Sequence, residues 1–311
     1  MTASWWIIVL SWNGRDDTLT CLDSLTRLAS DDVAVACVDN GSDDGTVAAV
    51  RAAHPHVTVI QNRRNLGFSG GNNAGIAYAL AHGAEWVVLV NNDATLAPDA
   101  IERLRASAAR HPDAGALAGK LFFAPVGDGE PERIWFAGQD VRLWLGYAGR
   151  PAGYGKPDAP RHGVERQVDR AAGAFMAVSR PAIEAVGMLD DALFAYVEDV
   201  DWSVRIRGAG YGVWLVPDAV ARHRVSASTG GERGSTHALY YGVRNSIVVC
   251  ERHRPLPPPL RWLRRQAIRA IFMAQALLLS EGRSAFVRAV RDGYRDARVG
   301  RLGERSASSR S

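Results

Sequence analysis

Four short apolar runs, residues 5–10, 33–38, 57–60 and 86–90, alternate with segments of helical periodicity at 16–28, 43–53 and 69–82. A compact β-rich run stays buried only if apolar material covers both of its faces. A helix between consecutive strands supplies that cover. The alternation therefore predicts βαβ units and an α/β fold with a helix-clad parallel sheet. Ser42 and Asp43 make plausible caps for the second helix, with Gly45 and Thr46 opening its turn. A further helix is expected at 98–109, with Pro98 near its first turn.

Beyond residue 113 the pattern loosens. Strands are expected at 117–123, 134–136, 167–178 and 212–216, and helices at 181–186, 198–208 and 236–253. The stretch 151–166, rich in Gly, Pro and charge, reads as a mobile loop. Pro255, Pro257, Pro258 and Pro259 mark the start of a basic helical tail, and 301–311 reads as a disordered end. No internal repeat is visible. Residues 1–235 are expected to form the main α/β domain, with one half at about 1–112 and a second at 113–235. A helical region at 236–300 follows.

Charge divides the same way. The 61 residues from 251 carry 14 Arg against 5 acids, whereas the first 250 carry 23 basic and 28 acidic groups. An acidic body with a basic tail argues against a nucleic-acid-binding surface. Cys21, Cys37 and Cys250 lack paired spacing, which excludes a zinc knuckle or disulfide framework. The first apolar run is too short for a signal peptide, and the run at 267–279 is broken by Arg269 and Gln275. A cytoplasmic protein is expected.

In open parallel sheets ligands bind beyond the carboxyl ends of the strands. Polar clusters sit at four successive strand ends here: Ser11-Trp12-Asn13-Gly14, the run 39–45, the run 62–73, and Asn91-Asn92-Asp93. A carboxylate just past a strand, such as Asp39, can accept hydrogen bonds from a base or ribose. Glycines at 67, 70, 71 and 75 would let backbone amides approach phosphate. The first βα turn lacks G-x-G-x-x-G and no P-loop is present, which disfavours a dehydrogenase or P-loop enzyme.

Val38-Asp39-Asn40-Gly41-Ser42-Asp43-Asp44-Gly45-Thr46, Asn65-Leu66-Gly67-Phe68-Ser69-Gly70-Gly71-Asn72-Asn73-Ala74-Gly75 and Asn91-Asn92-Asp93 resemble the successive motifs of family 2 glycosyltransferases. The segment 194–202, with Glu198-Asp199-Val200-Asp201-Trp202, resembles that family's acidic acceptor-side motif. His223-Arg224-Val225-Ser226-Ala227-Ser228 and Tyr240-Tyr241-Gly242-Val243-Arg244-Asn245 resemble the bacterial rhamnosyltransferase-like branch. The resemblance spans residues 5–245.

That resemblance implies a GT-A nucleotide-binding fold with a mostly parallel central sheet and a C-terminal helical extension. It implies an inverting transfer of sugar from a nucleotide-diphosphate sugar, dTDP-rhamnose as first choice, to a glycan or lipid-linked acceptor in cell-surface polysaccharide synthesis. The candidate donor contacts are Ser11, Trp12, Asn13, Asp39, Asn65, Gly67, Gly70, Asn73, Asn92 and Asp93. Asp93 and His223 would hold a divalent cation, Mn²⁺ or Mg²⁺, that stabilises the departing diphosphate. Only one of the three residues 91–93 is a carboxylate, a departure from the two-acid version of that motif.

By the same resemblance Asp199 is the general base. Glu198 would orient it or bind acceptor, Asp201 can pair with Arg205 one turn on, and Trp202 packs either against sugar or into the core. Two rivals are a sugar nucleotidyltransferase and a non-catalytic nucleotide- or glycan-binding module. The first expects a glycine-rich, basic signature after strand one that residues 11–14 lack, and retention of Asp93, Asp199 and His223 together opposes the second. The tail helix at 260–279 mixes four Arg with Trp262, Leu263, Ile268, Ile271 and Phe272. Such a helix suits peripheral contact with an anionic membrane, packing on the catalytic domain, or a homodimer contact.

Overall fold

A computed structural model describes residues 3–28, 32–125, 131–144, 150–225, 235–279 and 282–305. In chain order the first half holds β1 (Trp5–Ser11), α1 (Arg15–Thr26), β2 (Val33–Asp39), α2 (Thr46–Ala53), β3 (Thr58–Gln61), α3 (Gly67–Ala81), β4 (Trp86–Asn91), β5 (Ala94–Leu96) and α4 (Ala100–Arg110). The second half holds β6 (Ala114–Phe123), β7 (Ile134–Phe136), β8 (Arg166–Gln167), β9 (Phe175–Ser179), α5 (Arg180–Val186), α6 (Glu198–Gly208) and β10 (Gly212–His223). Helices α7 (Thr236–His253), α8 (Pro258–Leu278) and α9 (Arg283–Arg298) complete it.

One sheet runs through the body in the order β3-β2-β1-β4-β9-β6-β10-β5, with β7 on β6 and β8 on β10. β1 to β4 are parallel, β9 is antiparallel to both of its neighbours, and β6 and β10 are parallel again. Six of the eight strands on this path therefore point the same way, and their carboxyl ends form one edge. Ile7, Ile8, Val9, Val87, Val88 and Leu89 are buried, as continuous apolar runs covered on both faces should be. Trp5 pairs in register with Trp86, and their rings stack 5.2 Å apart. α3 lies close against this sheet, since a Cβ at Gly71 or Gly75 would collide with Leu10, Ile8 and Val38.

Several expectations need correction. β10 does not stop at 216. Pro217 and Asp218 read as a terminator, yet they form only an irregularity, and pairing with β6 resumes at Val220. The extension carries His223 to the ligand edge, where it pairs with Ala94 of β5. The expected mobile loop at 151–166 is packed down: Lys120 Nζ lies 2.6 Å from Asp158, Ser107 donates to Glu165, and His162 is buried. Its partners are distant in sequence, so composition alone misled. The expected disordered end is docked as far as Arg305, which is buried, pairs with Asp292 at 3.0 Å and donates its amide to Tyr241 Oη. Residues 306–311 lie outside the described set.

α7 is buried along its middle, from Leu239 to Cys250 except Val248, and forms a second core with α8 and α9. α8 differs: of its side chains only Arg264, Ile268 and Ala276 are buried, and Leu260, Trp262, Leu263, Ile271, Leu277 and Leu278 are exposed. Among the described residues no helix is long and apolar enough to cross a membrane.

Candidate active site

The loops after β1 and β2 are stitched to each other. Asn13, held at φ +48°, donates its amide to Ser42 Oγ (3.0 Å) and accepts the Asp43 amide at Oδ1 (2.9 Å). Ser42 and Asp43 therefore do not cap α2. Gly45 occupies the N-cap position, and Asp44 before it accepts from the Thr46 amide and hydroxyl. Ser11 Oγ meets Thr18 Oγ1 at 2.7 Å, and Thr18 also accepts from Asn92 Nδ2 at 3.0 Å. Gly14 leaves the room this needs, because a Cβ there would sit 2.7 Å from Asn92 Nδ2. Trp12 stands half-exposed at the lip.

Asp39 is buried at the base of these loops. Its Oδ2 accepts the Ser42 amide at 3.2 Å, while Oδ1 is buried with no partner. An unsatisfied buried carboxylate oxygen is costly unless something completes it, so Asp39 is poised for a ligand donor.

The third cluster behaves differently from expectation. Asn40 bonds Asn62, Asn65, the Leu66 amide and the Gly67 carbonyl, and Asn65 caps the Gly67 amide at 2.8 Å. The Ser69 amide donates to the Phe194 carbonyl. Asn73 spends its amide on Leu189 and Asp191: Nδ2 to Leu189 O (2.8 Å) and Asp191 Oδ1 (2.5 Å), and Oδ1 from the Leu189 amide (3.1 Å). A Cβ at Gly70 would meet Leu66 and come near Asp191. Gly67, Gly70 and Asn73 thus pack or fasten α3 onto the 189–194 segment, while Asn65 ties its start to Asn40. The Gly67 amide, at one of the glycines expected to open the way to phosphate, is engaged by Asn65, and the nearby Ser69 amide by Phe194.

β4 ends at Asn91, β5 begins at Ala94, and the turn between them brings Asp93 onto His223. The imidazole Nε2 lies 2.8 Å from Asp93 Oδ1 and 3.3 Å from Asn91 Nδ2, and both Asp93 and His223 are buried. Trp135 packs edge-on against the imidazole, 4.7 Å between centroids. Nδ1 is buried without a partner. A carboxylate oxygen only accepts, so Asp93 favours the tautomer with the proton on Nε2. Among the described residues no group of three or more His, Cys, Asp and Glu could hold a metal. One carboxylate oxygen and one imidazole nitrogen are a donor set that fits a divalent ion of the Mn²⁺ type, provided that ligand oxygens complete the shell. Asp17, which the motif comparison missed, stands close by. Burial raises its pKa, the Arg224 ion pair at 2.8 Å opposes this, the Asp93 charge adds to it, and the net direction is up.

On α6 the three acids part company. Asp201 points away from the site into Arg205 (2.8 Å), Arg252 (2.9 Å) and His253 (2.7 Å). Burial pulls its carboxyl upward, but the His253 hydrogen bond and the two arginine charges outweigh it and hold the group at about 2. Trp202, a candidate acceptor contact, is instead fully buried in the main core with Nε1 donating to Gly187 O at 2.9 Å. Asp199 is buried, and its Oδ2 accepts from Arg170 Nη2 (2.6 Å) and the Gly173 amide (3.0 Å), while Oδ1 has no partner. Glu198 beside it is buried, and burial together with the Asp199 charge pushes its carboxyl up to about 8.

These positions can now be set beside known proteins. The model of the family described as glycosyl transferase family 2 matches residues 6–159. The N-acetylglucosaminyl-diphospho-decaprenol L-rhamnosyltransferase of Mycobacterium tuberculosis is 31% identical over 273 residues, 83% of this chain and 88% of the relative. The chain belongs to glycosyl transferase family 2. The dTDP-rhamnosyl transferase RfbF of Shigella flexneri is 25% identical over 270 residues, 82% of this chain and 83% of its own. Among solved structures, the mannosyltransferase PcManGT from Pyrobaculum calidifontis, in complex with GDP-Man and Mn²⁺, matches with TM-score 0.58 at 18% identity. That match covers 97% of this chain and 87% of that one. GalNAc-T7 with UDP, GalNAc and Mn²⁺ matches at 0.59 and 15% identity, over 85% and 54%. These likenesses show the expected GT-A fold. The protein is a nucleotide-sugar-dependent glycosyltransferase of polysaccharide synthesis, and neither rival class is favoured.

Within this glycosyltransferase the motif on α7 has a visible task. Phe194, Tyr196 and Val197, just before α6, all have φ between +64° and +72°. Non-glycine residues in that region each cost roughly 1–3 kcal/mol and persist only where their surroundings enforce them. Asn245 Nδ2 lies within 2.9 Å of the carbonyls of Leu193, Ala195 and Tyr196. Arg244, fully buried, donates to Leu193 O (2.8 Å), Gly303 O (2.7 Å) and Asn245 Oδ1 (2.9 Å). The clamp holds the strained turn that presents Glu198 and Asp199. Asn245→Ala is expected to cost about 2–3 kcal/mol of stability by orphaning these carbonyls. It should also lower kcat by up to about 10²-fold through displacement of α6, with donor KM little changed. Denaturant titration and steady-state kinetics on one preparation check both.

Glu198 gives a pH prediction. Its folded value of about 8 lies above the ordinary carboxylate value of about 4.3, so folding takes up a proton between them. The associated stability is fully present below the unfolded value and is lost as pH rises through about 8. The melting temperature of the wild type should carry a falling contribution from this group between about pH 5 and about pH 8 that levels off above it, and Glu198→Gln should remove that contribution. Thermal melts across this range decide it.

Proposed function

We propose that this glycosyltransferase moves rhamnose from dTDP-rhamnose to a diphosphate-lipid-linked glycan, by single displacement with inversion, with Asp199 as general base. The observation that carries the reading is the asymmetry of Asp199. One oxygen is fixed by Arg170 and Gly173 and the other is unpartnered. A carboxylate held this way is oriented by Oδ2 and accepts a proton at Oδ1. The acceptor hydroxyl oxygen forms the new bond to the anomeric carbon as the bond from that carbon to the diphosphate oxygen breaks. The proton passes to Asp199, and the electron pair leaves with the nucleoside diphosphate. Burial and the Asp199 charge push the Glu198 carboxyl up, which favours Asp199 over its neighbour as the base.

On the donor side Asp39 Oδ1 receives hydrogen bonds from base or ribose. Ser11, Asn13 and Asn92 hold the shape of the surrounding loops, and Trp12 covers the mouth. Asp93 and His223 would hold a divalent cation, which when bound supplies positive charge to the departing diphosphate. Mn²⁺ in two structural neighbours supports this, as does the N/O donor pair. The rhamnose and lipid-diphosphate assignments rest on the printed activities of the two sequence relatives. In this reading residues 1–112 serve the donor, 113–235 the acceptor, and 236–300 brace the acceptor side. Peripheral association with the inner face of the membrane is proposed through α8, whose exposed Trp262, Leu263 and Leu278 stand beside Arg261 and Arg265. Co-flotation with anionic vesicles that survived Trp262→Asp and Leu263→Asp together would remove that placement. The donor assignment is tested by thermal stabilisation with a panel of nucleotide sugars, with and without Mn²⁺. Selective, Mn²⁺-dependent stabilisation by dTDP-rhamnose is expected, and preference for another donor would replace it.

A further inference from the structure

A cavity of about 310 Å³ opens beside the acceptor half, lined by Gly138, Gln139, Asp140, Arg142, Arg150 and Arg166 among others. That volume lies at the low end of small-ligand clefts, about 300–1,000 Å³. Three arginines line it, and among the described residues none of them has a carboxylate partner. This sets them apart from Arg105, Arg110, Arg170, Arg205, Arg252 and Arg265, which all do. Arg166 donates through Nη2 to Ala137 O at 3.1 Å, while its Nη1 is buried with no partner. Arg150 is steadied over the Tyr154 ring, 5.5 Å from its centroid. One lining carboxylate, Asp140, offsets one of the three charges and leaves an excess that calls for an anion.

The position of the cavity narrows the choice of anion. Gln139 accepts from Arg170 Nη1 at 2.6 Å, and Arg170 Nη2 holds Asp199 at 2.6 Å. The cavity is therefore two side chains from the proposed base, within the half of the chain read as serving the acceptor. On its other flank the Leu143 carbonyl accepts from Arg264 of α8 at 3.3 Å. Exposed Trp144 follows Leu143, and α8 carries exposed Leu260, Trp262 and Leu263. An anion site thus lies between the base and an apolar surface.

We propose that this arginine cavity binds the diphosphate of a polyprenyl-diphosphate-linked acceptor, its prenyl chain leaving toward Trp144 and α8 and its sugar reaching toward Asp199. The proposal rests on the glycosyltransferase reading for the identity of the sugar end, and its test is independent of turnover. Full-length protein in a metal chelator, which disables the donor diphosphate site, is titrated calorimetrically with farnesyl diphosphate and with inorganic pyrophosphate. Wild type and Asp93→Ala should bind farnesyl diphosphate alike, and inorganic pyrophosphate should compete more weakly, since it lacks the chain. Arg142→Ala with Arg150→Ala, both exposed positions, should weaken binding about tenfold or more through loss of charge-assisted contacts. Should the double variant melt early, Arg150→Glu alone replaces it and should show the same loss. Binding unchanged in the arginine variants, binding abolished by Asp93→Ala, or no binding by wild type would each overturn the proposal. If arginine-dependent binding persists in a protein that turns over no nucleotide sugar, the anion site stands and the activity assignment fails.

Discussion

Asp199→Asn is expected to lower the rate of sugar transfer by roughly 10²–10⁴-fold, the range that a positioned general base contributes. Its amide oxygen can still accept the Gly173 amide, but the Arg170 ion pair is lost and Oδ1 can no longer take a proton. Donor-induced stabilisation should persist, because Asp39, Asp93 and His223 are untouched. A structural effect must be separated from a chemical one, since removing one partner of a buried pair destabilises by about 3–5 kcal/mol. Arg170→Met provides that separation. It also breaks the pair but keeps the carboxylate, so it should melt early yet retain more activity than Asp199→Asn. Equal loss in both variants would demote Asp199 to a positioning residue.

Asp93→Ala is expected to abolish Mn²⁺-dependent stabilisation by nucleotide sugar and to reduce kcat/KM by about 10²-fold or more, as loss of electrostatic stabilisation of a leaving group does. The carboxylate is the only charged oxygen donor among residues 91–93 and lies against His223. His223→Ala should follow in the same direction with a smaller effect, because the carboxylate remains. Donor titrations with and without Mn²⁺ separate the metal term from nucleotide recognition. Metal-dependent binding retained by Asp93→Ala would move the cation elsewhere, with Asp17 the next carboxylate to test.

The parallel half of the sheet was legible in the sequence because its strands are short, apolar and separated by amphipathic helices, all local properties. The ligand edge was legible for a related reason: four polar clusters fell at the ends of successive strands. Local pattern failed where partners come from far along the chain. The α3 glycines suit phosphate by composition, yet what they permit is close packing of a helix on β1 and β2 and a turn tied to residues 189–194. His223 could be aligned with the family motif, but Pro217 hid the strand extension that brings it to Asp93. Arg170 carries no local signal, since it acts across 29 residues, and Asn245 stood in a motif whose task, holding carbonyls about 50 residues away, local pattern could not show. The spacing of Asp201 and Arg205 did announce an i, i+4 pair, and that pair is present. Trp202 shows the opposite limit, because a tryptophan beside the acids of α6 can serve sugar or core, and only its burial decides for core.

The central claim, a base-catalysed transfer from nucleotide sugar to a lipid-linked glycan, is tested most directly by one assay. Full-length protein with Mn²⁺ is given labelled dTDP-rhamnose and a synthetic polyprenyl-diphosphate-linked N-acetylglucosamine, and labelled lipid is counted. Wild type is expected to produce labelled lipid carrying an inverted anomeric linkage, and Asp199→Asn essentially none. A retained configuration in the product, or equal turnover by the two proteins, would contradict it.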